Sequence, residues 1–436
     1  MRCLWLLALA LVVCPVHAAL NPVEGRMVAA VERDSGWSLA LLERLVNINS
    51  GTRNLAGVAE VGRALAPELE HLGFQVVWKP MRDTGRAGHL IATHPGRPGT
   101  RRLLLIGHLD TVFEPDSPFQ SYVRHGHRAS GPGVGDDKGG DVVMLLALRA
   151  MQAAGSLRDA NVEVMLTGDE ESAGSPQSLA RADLVAAGRR ADVALDFEGL
   201  VVLDGQDMGS VARRSASAYV ITTHGTTGHS SGIFSADVGD GAIFELARIL
   251  CAFRSELPEP GLTFNIGVVA GGARAAFSAD ESTATAAGKT NIIPGVAVAN
   301  GDFRALEPAQ VERVQARMTA IVARHLPHTS AEIVFTEGYP PMAPTAGNRA
   351  LLARLNEVNA ALGYPPMPAL DPLKRGAGDI SFVAADVDGL AGLGPASEGD
   401  HTPDESVDLD SIPRQAARAA LLMTRLSREP APARGR

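Results

Sequence analysis

The acids and histidines of this chain that could hold cations and move protons fall in a few short segments. Gly107-His108-Leu109-Asp110-Thr111 follows the apolar run 103–106, so His108 and Asp110 stand at the C-terminal end of an expected strand. Two positions apart on an extended backbone they point the same way, and Asp110 can orient the His108 imidazole. Gly131-Pro132-Gly133-Val134-Gly135-Asp136-Asp137-Lys138-Gly139-Gly140 is a glycine-rich approach to a helix. Such an approach can cradle phosphate, but the Walker spacing is missing and two adjacent carboxylates repel an anion, which favours a cation at Asp136. Gly168-Asp169-Glu170-Glu171-Ser172 follows a strand-like run, 162–167, and lets one acid bind metal while its neighbour moves protons. Asp196-Phe197-Glu198 follows the apolar run 193–195, and Asp400-His401-Thr402-Pro403-Asp404-Glu405 lies near the C-terminus. Each segment alone also reads as a solvated loop or polar turn. Together they offer two imidazoles and three carboxylates, a set that suits two zinc ions ~3.5–4 Å apart and bridged by one carboxylate. Such a pair deprotonates a water and polarises an amide carbonyl, while a nearby glutamate carries the proton to the departing amine.

Periodicity outlines the elements that must position these residues. Helical spacing over 38–46 and 58–72 is followed by strand-like runs at 74–77, 88–93 and 102–106, a long helix over 140–153 and the strand 162–167. Strands alternating with helices imply an α/β sheet, at least partly parallel. From about 213 the rhythm changes to strand 218–224, helix 241–255, strands 263–269 and 297–303, and helix 308–325, with one further strand allowed. That order suggests an inserted sandwich of helices on an antiparallel sheet. Helix 349–362, a turn at 374–379 and helix 411–426 return to the first pattern. The expected division is 1–18 export signal, 19–212 and 329–436 catalytic domain, and 213–328 insert.

Composition narrows the partners. The chain has 436 residues, 45% of them hydrophobic, enough to fill two cores. Lys and Arg number 40 against 49 Asp and Glu, with no long basic block, which argues against nucleic acid. Met1-Arg2, the apolar run 4–13 and Val16-His17-Ala18 predict an export signal cleaved after Ala18, and so a periplasmic or secreted protein. Lipid attachment at Cys14 competes with that reading, but Val13 is larger than the small residue such processing prefers. No later stretch reaches the ~20 apolar residues of a membrane span, so no membrane association is expected after cleavage. Cys3 and Cys14 leave with the signal, and Cys251, in an apolar stretch, is expected as a buried small hydrophobe. Any metal site must then use His and carboxylates.

At these residues the sequence resembles the family of co-catalytic zinc peptidases that includes bacterial glutamate carboxypeptidase, the aminoacylases, succinyl-diaminopimelate desuccinylase and tripeptide aminopeptidase. The resemblance runs from about 38 to 426, and its most specific parts are the segments at 107–112, 131–140, 168–171 and 401–405. It implies an α/β zinc-peptidase domain, with a mixed, largely parallel sheet flanked by helices, interrupted by an α+β lid or dimerisation domain. It further implies that His108 and Glu198 bind one zinc, Glu171 and His401 the other, and Asp136 both, with cobalt or manganese as alternatives. Asp110 would orient His108, Glu170 would be the general base and later acid, and an unusual backbone geometry would join Asp136 to Asp137. Within 225–230 the resemblance makes His229 an oxyanion stabiliser, which dimeric relatives supply from the partner subunit, so a homodimer through 213–328 is expected. Asn291 and Arg304 resemble substrate-binding positions, Arg304 suiting a terminal carboxylate. Gly376 and Gly378 resemble a glycine-rich loop lining the substrate pocket.

The implied activity is hydrolysis of a C-terminal peptide or amide bond in a peptide or N-acyl amino acid. A carboxypeptidase is favoured over an aminoacylase or dipeptidase because export gives access to peptides and Arg304 suits a free carboxylate. The 337–341 segment lacks a basic residue that some glutamate-releasing relatives carry there, so strict glutamate preference does not follow. Arg213 and Arg214 could replace that charge or be solvated. A non-catalytic metal- or peptide-binding protein is the rival from another class, and Glu170 beside a full ligand set argues against it.

Overall fold

In the computed structural model of the chain, residues 20–278 and 281–432 are described. The expected export signal, with Cys3 and Cys14, lies outside the described residues. The first helix, Pro22–Val46, starts well before the expected 38 because Asn21 caps it: its side chain accepts from the Val23 and Glu24 amides, and the Glu24 carboxylate accepts from the Asn21 amide. Leu55–His71 follows as a second helix.

One six-stranded sheet organises the larger unit. Its order is Gln75–Pro80, Gly88–His94, Asn161–Thr167, Arg102–His108, Val193–Asp196, Gly389–Leu390. The first two pairings are antiparallel and the remaining three parallel, a mixed and largely parallel sheet as expected. Its central strands are mostly apolar because both faces are covered. Leu103, Leu105, Val164 and Leu195 face a core filled by Pro22–Val46, Lys138–Ala154 and Ser411–Leu426. Leu104, Ile106, Met165 and Ala194 face a second layer with Leu184, Ala187, Ile380 and Val383. Each such fully buried leucine contributes about 1.5–3 kcal/mol of burial.

Residues 216–339 build a separate layer. Thr263–Gly272, Val296–Arg304, Ala216–Gly225 and Thr329–Tyr339 form an antiparallel sheet in that order. Helices Ala242–Glu256 and Pro308–Val322 cover one face, around Tyr219, Phe253, Phe303 and Met318. Thr329–Tyr339, which a boundary at 328 would leave outside, pairs along the whole of Ala216–Gly225. A small hairpin, Arg274–Phe277 with Ala284–Ala287, adds to what periodicity suggested. Cys251 is exposed, contrary to expectation. The Ala242–Glu256 helix buries Ile249 and Phe253, and a residue two positions from each lies ~200° around the axis, on the solvent side. Among the described residues no helix is long and apolar enough to cross a membrane.

Candidate metal centre

Three neighbouring parallel strands end at one edge of the large sheet, which is where α/β sheets assemble sites. His108 is the last residue of Arg102–His108 and pairs in register with Thr167, which precedes the 168–171 acids. Asp196 ends the strand on the other side, paired with Ile106, and Glu198 follows it. His401 arrives by a different route. Its loop joins Ser397–Glu398 to Ser406–Asp408, and Ser406–Asp408 pairs with Arg128–Ser130, the strand that leads into the 131–137 segment. Glu405 fixes the junction by accepting from the Gly133, Gly135 and Asp136 amides at 3.3, 2.9 and 3.2 Å. His401 itself adopts φ +66°, a conformation rare for a residue with a side chain and concentrated at functional sites.

Asp136 is the centre of the cluster. Its Oδ1 lies 2.9 Å from His108 Nε2 and its Oδ2 3.1 Å from His401 Nε2, so one carboxylate faces an imidazole through each oxygen. His401 Nε2 is also 3.2 Å from Glu171 Oε2. Donor atoms of His108, Glu170 and Glu171 converge in one group, and those of Asp136, Glu171 and His401 in another. A cis peptide joins Asp136 to Asp137. Asp110 faces His108 with its backbone oxygen 3.1 Å and its Oδ1 3.5 Å from Nδ1. The Asp110 carboxylate does more than the resemblance implied: Oδ1 accepts from the Glu170 amide at 3.0 Å, and Oδ2 accepts from the Glu171 amide at 3.1 Å and from the Thr52 hydroxyl at 2.6 Å.

Glu198 borders the same cavity of about 240 Å³ as Asp136, Glu170 and His401, but its carboxylate is taken by arginines. Arg213 Nη1 is 2.5 Å and Arg375 Nη2 3.2 Å from Glu198 Oε2, and Glu198 falls in neither converging donor group. Gly376 lines the cavity, and a Cβ on it would lie 3.7 Å from Arg304 Nη1, which brings Arg304 to the rim. Gly378 lets the loop approach the Arg213 and Glu198 side chains closely, and a Cβ there would require both to shift. His229 and Asn291 are exposed and lie beside each other, the Ser230 amide donating to Asn291 O at 3.0 Å. His229 Nδ1 is 2.8 Å from Ser231 Oγ, and among the described residues neither His229 nor Asn291 lines the cavity.

The electrostatics ask for cations. Burial, then Glu198 and Glu171, hold the Glu170 carboxyl well above its ordinary value, and burial with Asp136 pushes Glu171 up to about 7. Burial also raises Asp137 and Asp141, and among the described residues Asp137 Oδ1 and both Asp141 oxygens are buried without a hydrogen-bond partner. Hydrogen bonds to Asp136 and Glu171 push His401 up to about 11. Burying this many carboxylates is costly unless positive charge is present. The donors are imidazole and carboxylate without thiolate, a set that fits zinc, cobalt or manganese.

Sequence reasoning missed several contributors. Arg375 gave no motif. Arg181 is fully buried and bonds Asp169 Oδ1 at 2.6 Å and Asp379 Oδ1 at 2.8 Å, yet a lone arginine at a helix start carries no signal. Glu405 was legible only as part of the 401–405 segment.

Comparison with known proteins finds relatives over most of the chain. The model of a family described as peptidase family M20/M25/M40 matches residues 104–425. Carboxypeptidase G2 of Pseudomonas sp. (strain RS-16) is 29% identical, over 88% of this chain and 87% of that protein. A succinyl-diaminopimelate desuccinylase of Variovorax paradoxus is 25% identical, over 86% of this chain and 94% of its own length. Among solved structures, aminopeptidase PepT from Bacillus cereus superposes with a TM-score of 0.70 at 18% identity, covering 90% of this chain and 99% of that one.

Proposed function

The chain belongs to peptidase family M20/M25/M40 and is a metallohydrolase, and from that premise we propose a two-zinc exopeptidase that removes a C-terminal residue from a peptide or related amide. The observation that carries the metal reading is Asp136, with one imidazole at each carboxylate oxygen. In this reading Asp136 would be shared by both ions, His108 would serve one, and His401 with Glu171 would serve the other. Glu198 would complete the first set in place of its present arginine contacts. The ions, when bound, supply the polarisation of the scissile carbonyl and the acidity of the attacking water. Glu170 takes the proton from that water and returns it to the leaving amine, so that amide plus water becomes acid plus amine. Asp110 keeps Glu170 in place through its amide and orients His108.

Arg304 supports the carboxypeptidase reading, because its guanidinium stands at the Gly376 rim of the cavity, where a substrate's free carboxylate would enter. The test is a panel of N-blocked dipeptides and N-acyl amino acids, each with a free or an amidated C-terminus, given to zinc-loaded protein with products identified by mass. The free-acid dipeptides should be cut and the amides spared, and Arg304→Ala should raise KM by about 10- to 100-fold for the free acids. Preferred turnover of N-acyl amino acids would make the protein an aminoacylase instead, and no hydrolysis of either class would overturn the exopeptidase reading.

His229 fits delivery by a second copy of the chain, in a homodimer through the inserted unit. Supporting this, Phe234 and Phe244 near that loop are 62% and 50% exposed with ring centres 5.5 Å apart, an apolar pair suited to burial. Running the panel on fractions separated by size would distinguish a shared site from a self-contained one. The protein is read as exported, to a periplasm or beyond, which cell fractionation tests.

A further inference from the structure

The chain passes between its two sheets twice, and the two passages are bonded to each other. The Arg213 amide donates to Met342 O at 3.0 Å and the Met342 amide to Arg213 O at 2.8 Å. Each passage sends a side chain into the site. Arg213 reaches Glu198, while Tyr339, the last residue of its strand and paired with Ala216, reaches the Glu170 loop. The Tyr339 hydroxyl donates to the Glu170 backbone oxygen at 2.5 Å and accepts from Arg181 Nη2 at 2.8 Å. Arg181 in turn holds Asp169 and Asp379, and the Tyr339 ring packs edge-on against Phe382 with centres 4.9 Å apart. Burial, and then Glu170 and Asp379, raise the phenol's pKa, so it remains a donor.

The backbone of Glu170 is therefore held on both sides, its amide by Asp110 and its carbonyl by Tyr339. Only the second anchor comes from the smaller sheet. We propose that Tyr339 is a positioning residue that couples the placement of Glu170 to the placement of the inserted unit. This rests on the reading of Glu170 as the proton carrier. Any shift of the inserted unit about the 213–342 passage would carry the Tyr339 hydroxyl with it. The Glu170 loop then takes its working position only with the inserted unit in place.

Tyr339→Phe keeps the ring against Phe382 and removes only the hydroxyl. The expected result is a kcat lower by about tenfold, the scale of one lost hydrogen bond, with KM within twofold, two bound zinc ions and a melting temperature lower by no more than about 4 °C. A kcat within twofold of the wild type would overturn the proposal. So would a rate loss matched by lost metal or lost folded protein, because that is what a merely structural tyrosine gives. Glu170→Gln in the same assay separates the two readings. If it stays active, the proton-carrier role fails and the coupling with it; if it is inactive while Tyr339→Phe is unimpaired, only the coupling fails.

Discussion

Glu170→Gln is expected to lower kcat by about 10²- to 10⁴-fold while leaving both metal ions and KM close to the wild type. Glutamine has the shape of glutamate and keeps the backbone bonds to Asp110 and Tyr339, so the loop should not move. What it cannot do is accept a proton from water. The loss corresponds to about 3–5.5 kcal/mol of barrier. Steady-state kinetics with metal analysis on the same preparation check it. A variant within tenfold of the wild-type kcat would show that another group carries the proton.

Arg181→Met is expected to produce the largest loss of stability of any single change near the site. The guanidinium bonds two buried carboxylates, Asp169 and Asp379, along with the Asp169 backbone oxygen and the Tyr339 hydroxyl. Methionine fills much of the volume but leaves both acids without their cation. Thr167 still donates to Asp379, at 2.5 Å, and the Gly174 amide to Asp169, at 2.7 Å, which softens the effect. Removing one partner of a buried ion pair costs about 3–5 kcal/mol, against a total stability of about 5–15 kcal/mol. The denaturant midpoint should fall accordingly, and activity with it, since Asp169 adjoins Glu170 and Asp379 follows the glycine loop. Arg181→Lys should recover only part of both, because an ammonium cannot meet partners spread around a planar fork. An unshifted midpoint for Arg181→Met would contradict the role of this network.

How much of this was readable beforehand depends on how local each signal was. The central strands were legible because burial on both faces makes each an apolar run, and 103–106 announced His108 as the residue at its end. The start of the first helix was not, because its first turns mix Glu24, Arg26, Glu32, Arg33 and Asp34 into the pattern; the Asn21 and Glu24 pair was the available signal. The hairpin at 274–287 escaped because its alanine-rich strands have weak strand preference. At the site, the acids and histidines stood out by type, and the structure gathers His108, Asp136, Glu170, Glu171 and His401. Glu198 is the instructive exception, since its arginine partners come from residues 213 and 375 and no local pattern links them to it. Arg181 and Tyr339 were invisible for the same reason: their meaning lies in contacts 158 and 169 residues away along the chain.

The proposed metal centre depends most directly on Asp136 as the group shared by two cations. Zinc content measured by mass spectrometry after equilibration at buffered free zinc tests it. The wild type should hold two ions per chain, His401→Ala one, and Asp136→Asn should weaken both sites together with loss of hydrolysis. An Asp136→Asn protein that still binds two ions with wild-type affinity would contradict the arrangement proposed for this centre.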